Sequence, residues 1–495
     1  LGQVVSLTLL AMLLVQGLFL SCSQPAIRVA CLSLAALGAV AAIWAVARRT
    51  REDDDSADRM VRRVFTVSYV ALSLLYLGFF PPATVPDEDV HYAASYSYAN
   101  LLDPTMGPHD VRAEDQAFIE DAVLYNHAVS ADFWAWQKGG MPLLATQGGV
   151  VENAEFAHDI DFGTDAPQLK LGSALGILVA RALNLSGILT FYAGRLCNLM
   201  VCLALILVAL RLVPTGRNVL MTVALLPMTL HLLGSYSYDA MIIALSFLLV
   251  ALLLRACMGE GHVSRRLMAA SIATAMLLSP CKIVYVLLNL LALAVPGQRF
   301  ATRRGELAWK ACMLALPFLA IVAMRAGKLL VMAGASDTKN MALRRSTTQT
   351  VYTFQEALTQ PMQTVTMLVR GLYRHGDFYL STLVGGSLGW FQGEIAAQEV
   401  QEIGLVLVLA CAALPATGDG KVLPRRLRFA CAATFVAGVL LVFFSMMLIW
   451  TLVGADVIQG VQGRYFIPYL PLLLLAVRGH TDDEADWPEP DWGQV

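Results

Sequence analysis

The chain has 495 residues, 57% of them apolar and only 15% charged, with a mean hydropathy of +0.62. That composition excludes a soluble protein of ordinary make-up and points to a polytopic membrane protein. The net charge of -2 hides charges segregated by position, and basic residues do not cluster with aromatics on any stretch, which argues against nucleic acid as a partner.

Apolar runs of about membrane length fall near residues 4–20, 27–47, 64–80, 188–210, 218–234, 239–255, 267–281, 283–295, 308–332, 403–416, 429–453 and 466–478. They predict an all-α bundle of about 12 transmembrane helices. The first run lacks a basic leader and a small-residue cleavage site, so it reads as a membrane anchor rather than a signal peptide. All nine cysteines lie in or at the ends of apolar runs, which argues against a disulfide framework and against a cysteine metal site.

Basic residues crowd alternate links. Arg48, Arg49, Arg51, Arg59, Arg62 and Arg63 follow the second run, Arg211 and Arg217 the fourth, and Arg255, Arg265 and Arg266 the sixth. Arg299, Arg303, Arg304 and Lys310 follow the eighth, and Lys421, Arg425, Arg426 and Arg428 the tenth. The positive-inside rule puts these links and both termini in the cytoplasm. The remaining links then face outward, and they hold the unusual polar residues: Asp87-Glu88-Asp89 with His91, Asp239, Lys282, the 333–402 segment, and Gln462-Gly463-Arg464.

Two outer loops are long. The first, about 81–187, ends in Pro167 to Asn184, which predicts an amphipathic helix lying against the outer surface and not a crossing. The second, about 333–402, ends in Gly385-Gly386-Ser387-Leu388-Gly389-Trp390, a turn that presents an aromatic. The acidic tail after Arg478 reads as disordered, and no internal repeat is apparent.

Three carboxylates in a row after an apolar run that ends at Phe80 must lie in water or in a wet cavity, because one ionised group at a bilayer centre costs at least about 2.5 to 3.5 kcal/mol. Asp87 and Glu88 suit a general base on a sugar hydroxyl, or ligands to a divalent cation that holds a phosphate. Solvated loop charges, or caps of a helix starting near Asp89, are the plainer alternative. His91 suits orientation of the carboxylates, metal binding or a purely structural place.

Asp239 sits between two apolar runs with almost no loop, as a used acid or as a helix N-cap. Lys282 interrupts about thirty apolar residues between two basic links. Divided into two crossings of about thirteen to fifteen residues, the stretch reaches only about 20 to 22 Å each way at helical rise, which sinks the ammonium below the outer surface, either onto an anion such as a lipid phosphate or snorkelling to headgroups. Arg464 follows glycines that let backbone approach a ligand, and its guanidinium matches phosphate oxygens. Arg195, near the outer end of its run, can do the same.

With Pro86-Asp87-Glu88 and His91, Pro167, Gly194-Arg195-Leu196, Ser237 with Asp239, Lys282 with Tyr285, Gly386 to Trp390, and Gln462-Gly463-Arg464-Tyr465, the chain resembles the domain-of-unknown-function 2142 family of bacterial predicted membrane proteins. That family is itself similar to the GT-C class of glycosyltransferases. The resemblance covers roughly residues 64–478. It divides the chain into two extra N-terminal helices with their basic link (1–63), a GT-C-like domain (64–478) and an acidic cytoplasmic tail (479–495). Where relatives tend to have proline after the acidic pair, this chain has Asp89.

The resemblance implies a sugar donor on a polyprenyl phosphate, used at the outer face of the bacterial plasma membrane. It implies catalytic roles for Asp87 or Glu88 and for Asp239. The expected reaction moves the sugar to a cell-envelope glycan or lipid acceptor, with Lys282, Arg464 and Arg195 on the departing phosphate. His91, Gln462, Trp390 and Tyr465 would support the site, with or without Mg2+ or Mn2+ on Asp87, Glu88 and Asp239. A flippase of lipid-linked saccharide and a polysaccharide polymerase or ligase are the alternatives. A flippase predicts repeats and mid-membrane charges.

Overall fold

Inside lipid a backbone amide finds no water, so long apolar runs close their hydrogen bonds within helices. A computed structural model describes residues 54–80, 82–124, 142–162, 165–333, 351–389, 398–413 and 423–478, and these are mostly helical. In chain order the elements are α1 (Asp54–Phe79), α2 (Glu88–Leu102), β1 (Asp110–Arg112), α3 (Ala113–Leu124), β2 (Val150–Glu152), α4 (Pro167–Ala182), α5 (Gly187–Leu212), α6 (Arg217–Ala224), α7 (Pro227–Leu233), α8 (Tyr238–Met258) and α9 (Arg265–Leu278). A 3₁₀ helix (Ile283–Ala294), α10 (Arg303–Ala333), α11 (Phe354–Thr359), α12 (Pro361–Val384), α13 (Gln398–Ala412), α14 (Arg425–Ile449), a 3₁₀ turn (Gly463–Phe466) and α15 (Leu470–Val477) follow.

Among the described residues four helices are long and apolar enough to cross a membrane: α5, α8, Arg303–Arg325 of α10, and α14. The runs predicted near 4–20 and 27–47, the tail 479–495, and Trp390 lie outside the described residues. Several other predicted runs are not single α-helices. The run near 218–234 divides into α6 and α7, because Pro227 lacks an amide hydrogen and starts a new helix at its first position. Residues 283–294 wind as a 3₁₀ helix, which at about 2 Å rise per residue carries this stretch about 24 Å, against about 18 Å for an α-helix. The boundary expected after residue 63 falls inside α1.

Helix α8 is the centre of the bundle. It is apolar all round, and 83% of its most apolar stretch is buried, as expected of a helix with neighbours on every side. Its 21 residues span about 31 Å, close to the hydrocarbon thickness of a bilayer. Asp239 stands at one end and Arg255 near the other. At the Arg255 end, guanidinium groups bond carbonyls that helix C-termini leave open: Arg255 Nη1 to Leu212 O at 3.5 Å, Arg299 Nε to Ala256 O at 3.0 Å, and Arg428 Nε to Ala476 O at 2.9 Å.

Around the opposite end, α2, α3, the antiparallel β1–β2 pair and α4 pack on the start of α5 over an aromatic core that includes Tyr92, Tyr96, Phe118, Phe191 and Tyr236. Helix α4 begins at Pro167 as predicted. It runs antiparallel beside α5, with Gly172 against Asn198 and Gly176 against Ala193. A Cβ at Gly176 would collide with the Ala193 carbonyl, so the small residue permits the backbone approach. The segment predicted as a second long loop contains α11 and α12, and the end of α12 packs on the 463–466 turn through the amide of Gly463, which donates to Thr382 Oγ1 at 2.8 Å.

Candidate functional site

After α1 the chain turns through Ala83 and Asp87, both at φ 60°. Asp87 is the N-cap residue of α2 but makes no capping bond with its side chain. A left-handed conformation is tolerated by aspartate, and here it sends two consecutive carboxylates opposite ways: Asp87 is exposed, and Glu88 is fully buried.

Glu88 meets Arg195 of α5. Arg195 Nε donates to Glu88 Oε1 at 2.8 Å and Arg195 Nη2 to Oε2 at 2.6 Å, a bidentate charge-assisted pair with both side chains fully buried. The Tyr236 amide also donates to Glu88 Oε1 at 3.1 Å, and Arg195 Nη1 donates to Phe80 O at 2.6 Å and Leu77 O at 3.2 Å. This hub ties the end of α1, the start of α2, α5 and the turn before α8. It occupies two residues that the sequence offered as a base and a phosphate ligand.

Asp239 is not the cap of its helix. Ser237 caps α8, its hydroxyl accepting from the Asp239 amide at 3.3 Å, and the Asp239 carboxylate points instead at two cations. Lys282 Nζ lies 3.6 Å from Oδ1 and Arg464 Nε 3.5 Å from Oδ2. Among the described residues neither carboxylate oxygen, nor Lys282 Nζ, nor Arg464 Nε has a hydrogen-bond partner. The three groups are held at ion-pair distance with hydrogen-bonding capacity unspent, an expensive state for buried polar atoms.

The surroundings are aromatic and polar. Lys282 Nζ sits 3.8 Å over the Tyr465 ring and 5.0 Å from that of Tyr238, so it does not snorkel away. The Tyr465 carbonyl accepts from Tyr285 Oη at 3.0 Å, and Gln462 Oε1 is a buried acceptor with no partner among the described residues. Glycines 460 and 463 serve packing against protein rather than the ligand approach expected of them: Gly460 fits against Trp450, and Gly463 against the α12 backbone at Tyr379 and Leu383.

Asp87 completes the cluster electrostatically. Desolvation raises its carboxyl above the usual range, the Arg464 guanidinium and the Lys282 ammonium oppose that, and the Asp89 and Asp239 charges reinforce it. His91, one turn into α2, is held well below the usual imidazole range by burial first and then by the charges of Lys170, Arg464 and Lys282. The fold therefore brings Asp87, His91, Asp239, Lys282, Gln462, Arg464 and Tyr465 together and sets Glu88 and Arg195 apart in the hub.

Two functional-site residues escaped sequence reasoning. Lys170, on the inner face of α4, is 1% exposed and reaches His91 Nδ1 at 3.0 Å. Arg325, inside α10, donates from Nη2 to Pro280 O at 3.2 Å and so steadies the turn before Lys282. The available signal was a cation set within a mostly apolar helical stretch in each case. Among the described residues no three histidine, cysteine or carboxylate groups gather to hold a metal ion. The set Asp87, Glu88 and Asp239 does not fit one, since Arg195 and Tyr236 engage Glu88.

A family profile described as "Predicted membrane protein (DUF2142)" matches residues 167–473. That range contains Lys170, Asp239, Lys282 and Arg464, and the Asp87–His91 segment precedes it. No curated protein and no solved structure matches the chain.

Proposed function

The chain belongs to the DUF2142 family of predicted membrane proteins, and on that footing we propose that it is a glycosyltransferase that takes a sugar from a polyprenyl-phosphate donor at the outer face of a bacterial plasma membrane. The observation that carries this reading is the trio of Asp239, Lys282 and Arg464: two cations on one buried carboxylate, with donors left unfilled, at the end of α8 opposite the arginine-rich turns. Phosphate oxygens fill such donors, and a phosphate attached to a lipid arrives at this depth.

In the proposed step Asp87 takes the proton of the acceptor hydroxyl, whose oxygen attacks the anomeric carbon. The bond from that carbon to the phosphate oxygen breaks with inversion, and Lys282 and Arg464 stabilise the charge on the departing lipid phosphate. Asp239 holds the two cations in register, and Tyr465 offers a stacking face. Glu88 and Arg195 act as scaffold. The acceptor would be a cell-envelope glycan or lipid.

The test is transfer of radiolabelled sugar from lipid-linked donor in membranes that carry the protein. Loss of transfer in Asp87→Ala and Asp239→Ala variants that retain normal thermal stability is expected. Wild-type transfer in both would overturn the assignment.

A further inference from the structure

We propose that Lys170 is a positioning residue that fixes the His91 proton on Nε2, so that the imidazole serves as a neutral hydrogen-bond donor toward the Asp87–Lys282–Arg464 pocket. The donor role toward a bound phosphate-linked substrate rests on the function proposed above. The fixed tautomer rests on the contact between Lys170 and His91 and on the charge of the ammonium.

Pro167 at the first position of α4 sets the phase of the helix, and it turns Lys170 inward with Ser173, Ala174 and Ile177. The ammonium ends up 3.0 Å from His91 Nδ1 and 4.0 Å from Asp165 Oδ1. An ammonium has three donors and no acceptor, so a contact of this length to an imidazole nitrogen requires that nitrogen to be bare. A neutral ring with bare Nδ1 carries its hydrogen on Nε2. Among the described residues the His91 ring makes no other hydrogen bond; Tyr238 packs against it edge-on at 4.6 Å.

The charged groups acting on the ring come from several elements. Lys170 approaches from α4, Lys282 from the turn before the 3₁₀ helix and Arg464 from the 463–466 turn, while Asp165, in the turn before α4, lies against the Lys170 ammonium. Asp87 and Asp239 of the same cluster are anions, but burial first and then these three cations hold the imidazole well below its usual range, so the neutral ring is the resident species. Burial pushes Lys170 down to about 8, which leaves it mainly protonated near pH 7, with Asp165 supporting the charge. A buried lysine without an acceptor is a costly way to fill space, whereas one bonded to an imidazole selects between two tautomers.

The experiment is 15N NMR of the full-length protein, labelled on histidine only and held in detergent micelles, with His91→Gln to assign the signal among the eight histidines. His91 is expected to be neutral with its hydrogen on Nε2 from pH 6 to pH 7, where Lys170 stays mainly protonated. Lys170→Arg should preserve that state, and Lys170→Met should give a mixture of tautomers. A wild-type ring protonated on Nδ1, a wild-type imidazolium, or an unchanged tautomer in Lys170→Met would overturn the proposal. Because this readout needs no turnover, a fixed Nε2 tautomer in a protein without transferase activity would sink the functional reading and leave the positioning role standing.

Discussion

Arg195 grips both carboxylate oxygens of Glu88, at 2.8 and 2.6 Å, across 107 positions of the chain, with neither side chain exposed. Asp87, the neighbour of Glu88, turns the other way, into the field of Arg464 and Lys282. The two carboxylates are therefore separable by experiment.

Glu88→Ala leaves the Arg195 guanidinium buried without its counter-ion. Loss of one partner from such a pair costs about 3 to 5 kcal/mol. The expected result is a clearly lowered unfolding midpoint in detergent, together with poor expression. An unchanged midpoint would show that the hub does not hold the fold.

Asp87→Asn should do the reverse. Removal of a general base lowers turnover by about 100- to 10,000-fold, while the side chain caps no helix and bonds no neighbour that stability needs. Sugar transfer measured beside thermal unfolding checks this, and a fall in both together would assign Asp87 to structure instead.

The pH response of Asp87 has a definite sign. Its folded-state carboxyl is raised above the ordinary value, so ionisation opposes folding: the contribution to stability is full below the unfolded value of about 3.9 and is lost as pH rises through the raised one. Asp87→Asn is thus expected to be slightly more stable than wild type at neutral pH, with the gap closing in acid. For the same reason the acidic limb of kcat/KM should lie above the range of a solvated aspartate. A limb at or below that range would exclude Asp87 as the base.

Lys282→Met and Arg464→Met each remove one charged donor from the proposed phosphate site. A hydrogen bond to a charged group contributes about 1.5 to 3 kcal/mol, so each change should lower kcat/KM by about 10- to 100-fold. The double variant should fall short of the product of the two, because both cations share Asp239. Strict additivity would mean that the cations act at different places.

Gly463→Ala tests how the Arg464 turn is held. An added Cβ would run into the Tyr379 carbonyl and lie 2.5 Å from the Leu383 amide, so backbone must move. Weaker donor binding with intact α-helical circular dichroism is the expected outcome. Normal kinetics would show that the turn adjusts freely.

What the sequence alone determined follows from local and additive properties. Hydropathy called for about 12 membrane-spanning helices, and among the described residues four, α8 among them, are long and apolar enough to cross. The alternation of basic and polar links placed Asp239, Lys282 and Arg464 at one end of the bundle, because a charge near the end of an apolar run can only sit at that end. Only the tertiary structure decided which way each side chain turned. The Asp87 backbone at φ 60° separated two adjacent acids, and Ser237 took the cap that left Asp239 for the cations. Pro227 broke one expected span, and the packing of α4 on α5 buried Lys170 beside His91. Composition and periodicity sum over neighbours in the chain, whereas the partner of a buried charge is chosen by a single distance between elements far apart in sequence, and no local pattern carries that distance.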